Sequence, residues 1–134
     1  MYTHQTKIRV RYAETDQMGY VYHGNFATYY EVARVEMLRE MGLPYKKLED
    51  RGVRMPVLSL QCDFIAPARY DDLITVKVTV TQKPSVKMFF SFEVFNENNV
   101  LLNTGKMILV FVDAATGKPC RCPIEITELF EQYF

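Results

Sequence analysis

Residues 9–34, RVRYAETDQMGYVYHGNFATYYEVAR, change period halfway along, and that change decides how the chain folds. Up to Tyr12 the stretch completes an alternating run from Thr6. Ile8, Val10 and Tyr12 face one way and Lys7, Arg9 and Arg11 the other, the period-two pattern of a half-buried strand. Ala13 to Gly24 is rich in turn residues, with glycines at 19 and 24. From Asn25 the period lengthens: Phe26, Tyr29, Tyr30, Ala33, Met37, Leu38 and Met41 make one apolar stripe at helical spacing. Asn25 is placed to cap that helix through its side chain. Arg34, Glu36, Arg39 and Glu40 lie off the stripe and are expected in solvent. Gly42 stands where a helix ends on a residue that tolerates the left-handed conformation.

Beyond this stretch, Pro44 to Arg51 predicts a second, short helix, with Pro near its first position and Gly52 just past its end. The rest reads as strands. Leu58, Leu60, Cys62 and Phe64 share one face of a strand ending at Pro67, and Ile74, Val76, Val78 and Val80 line the next. Met88, Phe90, Phe92 and Val94 alternate again. Val100 to Val112 is the longest strand candidate, expected to bend or bulge near Gly105. The tail carries Ile126, Leu129, Phe130 and Tyr133 on one face. A strand, two helices and then four strands in meander predict an α+β fold, with residues 1–134 as a single domain. One long helix covers only one face of a five-stranded sheet, and sheet edges need pairing. A homo-oligomer joined edge to edge and then through the bare face is the expected solution.

Composition narrows the function. Lys plus Arg and Asp plus Glu are equal at 16 each, so the chain lacks the basic surplus with which nucleic-acid binders neutralise phosphate. No apolar run reaches the ~18 residues of a membrane span, and the first residues lack the apolar core of a secretory signal. Cys62, Cys120 and Cys122 make an odd count without disulfide spacing, so free thiols in a reducing cytoplasm are expected. A structural zinc takes about four ligands, and only His4 and His23 could join the cysteines, so no metal and no cofactor are expected.

The loop before the long helix gathers Asp16, His23, two glycines and Asn25. A helix N-terminus offers unpaired N–H groups and the positive end of the helix dipole. Aimed at a carbonyl oxygen, each such donor stabilises a developing oxyanion by about 2.7–4 kcal/mol. Gly24 has no side chain to hold a carbonyl away from the backbone. Asp16 could activate water or attack directly. The plain alternatives are a turn-capping Asp16, a structural His23 and a core Tyr12.

The same 26 residues resemble the signature of the 4-hydroxybenzoyl-CoA thioesterase family of the hotdog superfamily, closest to its bacterial short acyl-CoA thioesterases. CDFIAPARYDDLITV (62–76) resembles that family's strand–turn–strand, and the likeness runs through nearly the whole chain. The resemblance implies a hotdog fold, a five-stranded antiparallel sheet wrapped around one long helix. It also implies hydrolysis of an acyl-CoA thioester and active sites at subunit interfaces of a homotetramer built as a dimer of dimers. By the same resemblance Asp16 is the catalytic carboxylate, Tyr12 and His23 orient it, the water or the thioester, and backbone amides around Tyr22, Gly24 and Asn25 polarise the carbonyl. Departures at Tyr20, Gly24 and Phe26, where relatives often carry other residues, are expected to reshape the acyl pocket. A hydratase or dehydratase on this fold and a non-catalytic acyl-CoA or acyl-carrier-protein binding module are the competing readings. Acyl-carrier protein is also the alternative donor of the acyl group.

Overall fold

Apolar side chains at every second position build one buried sheet face, and the helical stripe is laid across it. A computed structural model describes residues 1–43 and 45–134, with Tyr45 described by its backbone. The elements are β1 (Tyr2–Arg9), α1 (Asn25–Glu40), α2 (Tyr45–Asp50), β2 (Val53–Arg54), β3 (Val57–Phe64), β4 (Leu73–Val80), β5 (Lys87–Phe95), β6 (Leu101–Val110), β7 (Val112–Asp113) and α3 (Ile124–Phe130). Five strands form an antiparallel sheet in the order β1-β4-β5-β6-β3, and β2 pairs separately with β7. This is the α+β arrangement of sheet around a long helix that the resemblance implied.

Ile74, Val76, Val78 and Val80 of β4 and Met88, Phe90, Phe92 and Val94 of β5 are buried. Phe26, Tyr29, Tyr30, Ala33, Met37 and Leu38 of α1 belong to the same buried core, and the rings of Tyr30 and Phe92 stack at 4.2 Å, 9° from parallel. Each of the larger aliphatic and Phe side chains contributes about 1.5–3 kcal/mol on burial. The helix stops as its sequence requires. Gly42 takes φ +92, its N–H bonds the Arg39 carbonyl and the Leu43 N–H the Leu38 carbonyl, the paired bonds of a Schellman cap.

Several expectations are corrected. β4, β5 and β6 form a meander, but β3 crosses to the far edge and pairs with β6, so the four strands are not consecutive neighbours. β1 ends at Arg9, and Tyr12 lies instead in a 3-10 turn, Tyr12–Glu14. β6 is the longest strand, but Gly105 keeps regular register with both Cys62 and Phe92, and the irregularities fall at Val57/Ser59 and Val94/Phe95. Arg34 is buried, because it sits four residues from both Tyr30 and Leu38 on the covered helix face. The expected helix-opening role of Pro44 lies outside the described residues.

The edge strand β3 leaves Val57, Leu58, Leu60 and Phe64 exposed, with Ile65 beyond its end. At the other edge, Tyr2 of β1 packs its ring against Phe130 and Tyr133, which docks the C-terminal tail. Among the described residues, no helix is long and apolar enough to cross a membrane. The three cysteines are free thiols.

Candidate functional site

The segment between β1 and α1 folds back on itself as a small hairpin. Thr15 bridges Val21, the Asp16 N–H bonds the Tyr20 carbonyl at 2.7 Å, and the Gly19 N–H bonds the Asp16 carbonyl at 3.0 Å. Gly19 closes the turn at φ +80, a conformation that L side chains rarely adopt. The Asp16 carboxylate joins this turn through one oxygen only. Oδ1 accepts from the N–H groups of Met18 (2.8 Å) and Tyr20 (3.3 Å), whereas Oδ2 has no hydrogen-bond partner among the described residues. Asp16 is therefore the turn cap that a loop aspartate usually is. It also keeps a carboxylate oxygen for something else.

That oxygen belongs to a side chain on the wall of an apolar cavity of about 270 Å³. Val21, Phe26, Phe64, Ile65, Ala66 and Pro67 supply most of its lining, and Asp16 and His23 are its charge-bearing members. The opposite wall is held to the hairpin by main-chain bonds: the Val21 N–H donates to the Ala68 carbonyl at 2.8 Å, and Tyr20 bridges Arg69. The Arg69 guanidinium lies 5.1 Å above the Tyr20 ring, within cation–π range. His23 is exposed at the rim, with its ring 4.4 Å from that of Tyr22 and 6.5 Å from that of Phe64.

Not all of the amides expected to polarise a carbonyl are available. The Tyr22 N–H donates to the Glu14 carbonyl and the Asn25 N–H to the Tyr22 carbonyl, both at 2.9 Å. Gly24, not Asn25, occupies the N-cap position of α1. The Asn25 side chain turns away from the helix end and donates to the Glu14 carbonyl at 2.8 Å. The amides left without a hydrogen-bond partner among the described residues are those of His23 and Gly24, at the start of α1. The missing side chain of Gly24 makes room for the Tyr22 ring, since a Cβ there would lie 2.8 Å from Tyr22 Cε2.

Tyr12 is not brought to the cavity. Its side chain is 77% exposed and meets Tyr70 edge-on at 5.5 Å, because β1 ends at Arg9 and Tyr12 opens the 3-10 turn. Glu14 was missed by the sequence reading and is the buried acid of the region. Its carboxylate accepts from the Arg11 N–H (2.8 Å), the Arg11 guanidinium (2.9 Å) and the Tyr29 hydroxyl (3.0 Å). The available signal was Tyr29, a phenol on the helix's buried face that needs a polar partner.

Burial pushes the Glu14 carboxyl up, but the hydrogen bonds from Arg11 and Tyr29 outweigh it and hold it below its ordinary 4.5. Tyr29 is raised by its own burial and by Glu14. A carboxyl held low in the folded state contributes stability that is complete above the unfolded value and is lost as pH falls through the folded one. Urea unfolding followed from about pH 6 down to about pH 3 should show stability falling at the acid end, and Glu14→Gln should flatten that fall. An equally steep acid limb in the variant would remove Glu14 as its source.

Similarity to known proteins follows the same lines. The profile of the thioesterase superfamily matches residues 18–103. The acyl-CoA thioester hydrolase YbgC of Escherichia coli is 34% identical over 125 residues, 93% of each chain. The putative acyl-CoA thioesterase YneP of Bacillus subtilis is 30% identical over 119 residues, 89% of this chain and 86% of that one. Among solved structures, a DHNA-CoA thioesterase from Staphylococcus aureus superposes with a TM-score of 0.94 at 33% identity, covering 99% of this chain and 91% of that one.

Proposed function

This chain belongs to the thioesterase superfamily and is a thioester hydrolase with the hotdog fold, and on that premise we propose that it hydrolyses acyl-CoA thioesters with Asp16 as the reacting carboxylate. The observation that carries the assignment is the division of labour within Asp16: Oδ1 is tied into the turn and Oδ2 is unpartnered on the wall of an apolar cavity. The free amides of His23 and Gly24, at the positive end of α1, are the donors for the thioester oxygen as it becomes an oxyanion. The His23 ring, on the same cavity, orients the thioester or the attacking water. Oδ2 serves two routes. As a general base it takes a proton from water while the water oxygen bonds the acyl carbon, and the C–S bond then breaks to release the CoA thiolate. As a nucleophile it bonds the acyl carbon itself and expels the thiolate, leaving an anhydride that water opens.

The cavity also sets the acyl group. Among the described residues that line it, Asp16, Tyr20 and His23 carry hydrogen-bonding side chains and the rest are apolar. A polar substituent buried there without a partner costs about 1–3 kcal/mol, roughly fivefold to 150-fold in rate. At about 30 Å³ per water-sized group, the space takes on the order of nine such groups, a benzoyl or short aliphatic acyl rather than a palmitoyl. Free-thiol release should be fastest with butyryl- and benzoyl-CoA and slower by tenfold or more with 4-hydroxybenzoyl- and palmitoyl-CoA. Preference for the hydroxylated or the long acyl group would overturn this specificity. No release from any acyl-CoA, with release from an acyl-carrier-protein thioester, would replace CoA as the carrier.

The working form we propose is a cytoplasmic homotetramer, a dimer of dimers. The exposed apolar side chains of β3 support edge-to-edge pairing, and Phe64 and Ile65 belong both to that edge and to the cavity. Light scattering on the eluted protein checks the mass: a monomer would sink this part.

A further inference from the structure

We propose that Glu14 is the positioning residue of this site, holding the Asp16 hairpin and the amide-bearing start of α1 in one fixed relation; the inference rests on the hydrolase reading above. Glu14 lies two residues before Asp16 and is buried, so it cannot itself meet substrate in solvent. Six hydrogen bonds meet on it, and they come from three separate pieces of chain. Its N–H and carboxylate close the 3-10 turn against Arg11. Its carbonyl accepts both the Tyr22 N–H, from the returning arm of the hairpin, and the Asn25 side-chain amide, from the first residue of α1. Its carboxylate also accepts the Tyr29 hydroxyl, one helical turn further along.

The consequence is geometric. The hairpin presents Asp16 Oδ2, and the turn between Tyr22 and Asn25 presents the free amides of His23 and Gly24. Both ends of that turn are bonded to the single carbonyl of Glu14, so the two amides between them are held while remaining unpaired. The carboxylate–Tyr29 bond keeps the whole assembly seated on the helix. The far wall of the cavity, Phe64 to Ala68, touches the hairpin through the Val21–Ala68 bond, but it has its own anchor on β6 through bonds from the Ile65 and Ala66 N–H groups to the Leu102 carbonyl, neither of which involves Glu14. Loosening Glu14 should therefore disturb the register of carboxylate and amides and leave the acyl-binding wall in place.

The experiment compares wild type with Glu14→Gln, Tyr29→Phe and Asn25→Ala, assayed well below their unfolding temperatures. Glu14→Gln keeps the shape of the side chain but sets an amide donor against the Arg11 donors. It should lower kcat roughly tenfold to a hundredfold, the scale of a misplacement near 1 Å, with KM within about twofold. Tyr29→Phe and Asn25→Ala each remove one tether and should lower kcat severalfold in the same pattern. The backbone amide resonances of His23 and Gly24 should shift in all three proteins. If Glu14→Gln does not fold, the other two variants decide. Folded variants with wild-type kcat and a lowered Tm would make Glu14 a stabilising residue only and overturn the proposal, as would a raised KM at unchanged kcat. A wild type silent on every thioester would sink the hydrolase reading instead, and the His23 and Gly24 resonances would still report whether Glu14 holds them.

Discussion

Asp16→Asn is expected to lower kcat by about two to four orders of magnitude, the range supplied by a positioned acid or base, while the protein folds as before. The expectation follows from how the carboxylate is divided. Asn can offer its carbonyl oxygen to the Met18 and Tyr20 N–H groups in place of Oδ1, so the turn survives. Its amide nitrogen then occupies the position of Oδ2, where it carries no negative charge, accepts no proton and attacks no carbonyl. Asp16→Ala is the informative partner. It removes the turn bonds as well, so it should lose stability where Asn does not, by about 0.5–2 kcal/mol on the scale of a lost cap. Thiol release measures the rate, and urea unfolding separates the two variants. A folded Asp16→Asn protein working at the wild-type rate would end the case for Asp16, whatever the acyl group.

Which parts of this were legible beforehand depends on whether a feature leaves a local trace. β4 and β5 could be read because each presents apolar side chains to one covered face, and α1 because its stripe repeats at helical spacing. Gly42 could be read because the helix end needs a left-handed residue. The place of β3 could not: alternation gives the faces of a strand and carries no information about which strand lies beside it. The start of β1 was hidden because His4 and Thr6 point inward yet are not apolar, so the run read from Thr6 has its first apolar member at Ile8. Within the site, the long motif led to Asp16 and His23, and both line the cavity. Glu14 escaped for a different reason. An acid in a polar turn normally faces water, and only the partners brought from Arg11, Tyr22, Asn25 and Tyr29 make it a buried one. Tyr12 was read as a strand residue because the alternating pattern runs on past the point where the strand stops.

Gly105 carries the largest predicted loss of stability, and for a reason other than the bulge expected there. A glycine inside a strand suggested a bulge, yet Gly105 pairs in regular register on both sides. What requires glycine is the Tyr30 ring. A Cβ at position 105 would lie 2.5 Å from Tyr30 Cε2 and 2.7 Å from both Cζ and the hydroxyl oxygen. That ring has nowhere to go: it is fully buried, stacked on Phe92, and its hydroxyl donates to Asn103 Oδ1 at 2.6 Å. Gly105→Ala should therefore cost about 3–5 kcal/mol, from overpacking together with loss of the Tyr30–Asn103 bond. The corresponding fall in Tm is on the order of 10–20 °C. The backbone itself gives alanine no difficulty, since Gly105 is not among the glycines at positive φ. Urea unfolding in two backgrounds tests the cause. In a Tyr30→Leu protein the clash is relieved, and Gly105→Ala should cost less than about 1 kcal/mol, a coupling of several kcal/mol between the two positions. An equal cost in both backgrounds would mean that the strand, and not the ring above it, is what excludes a side chain from position 105.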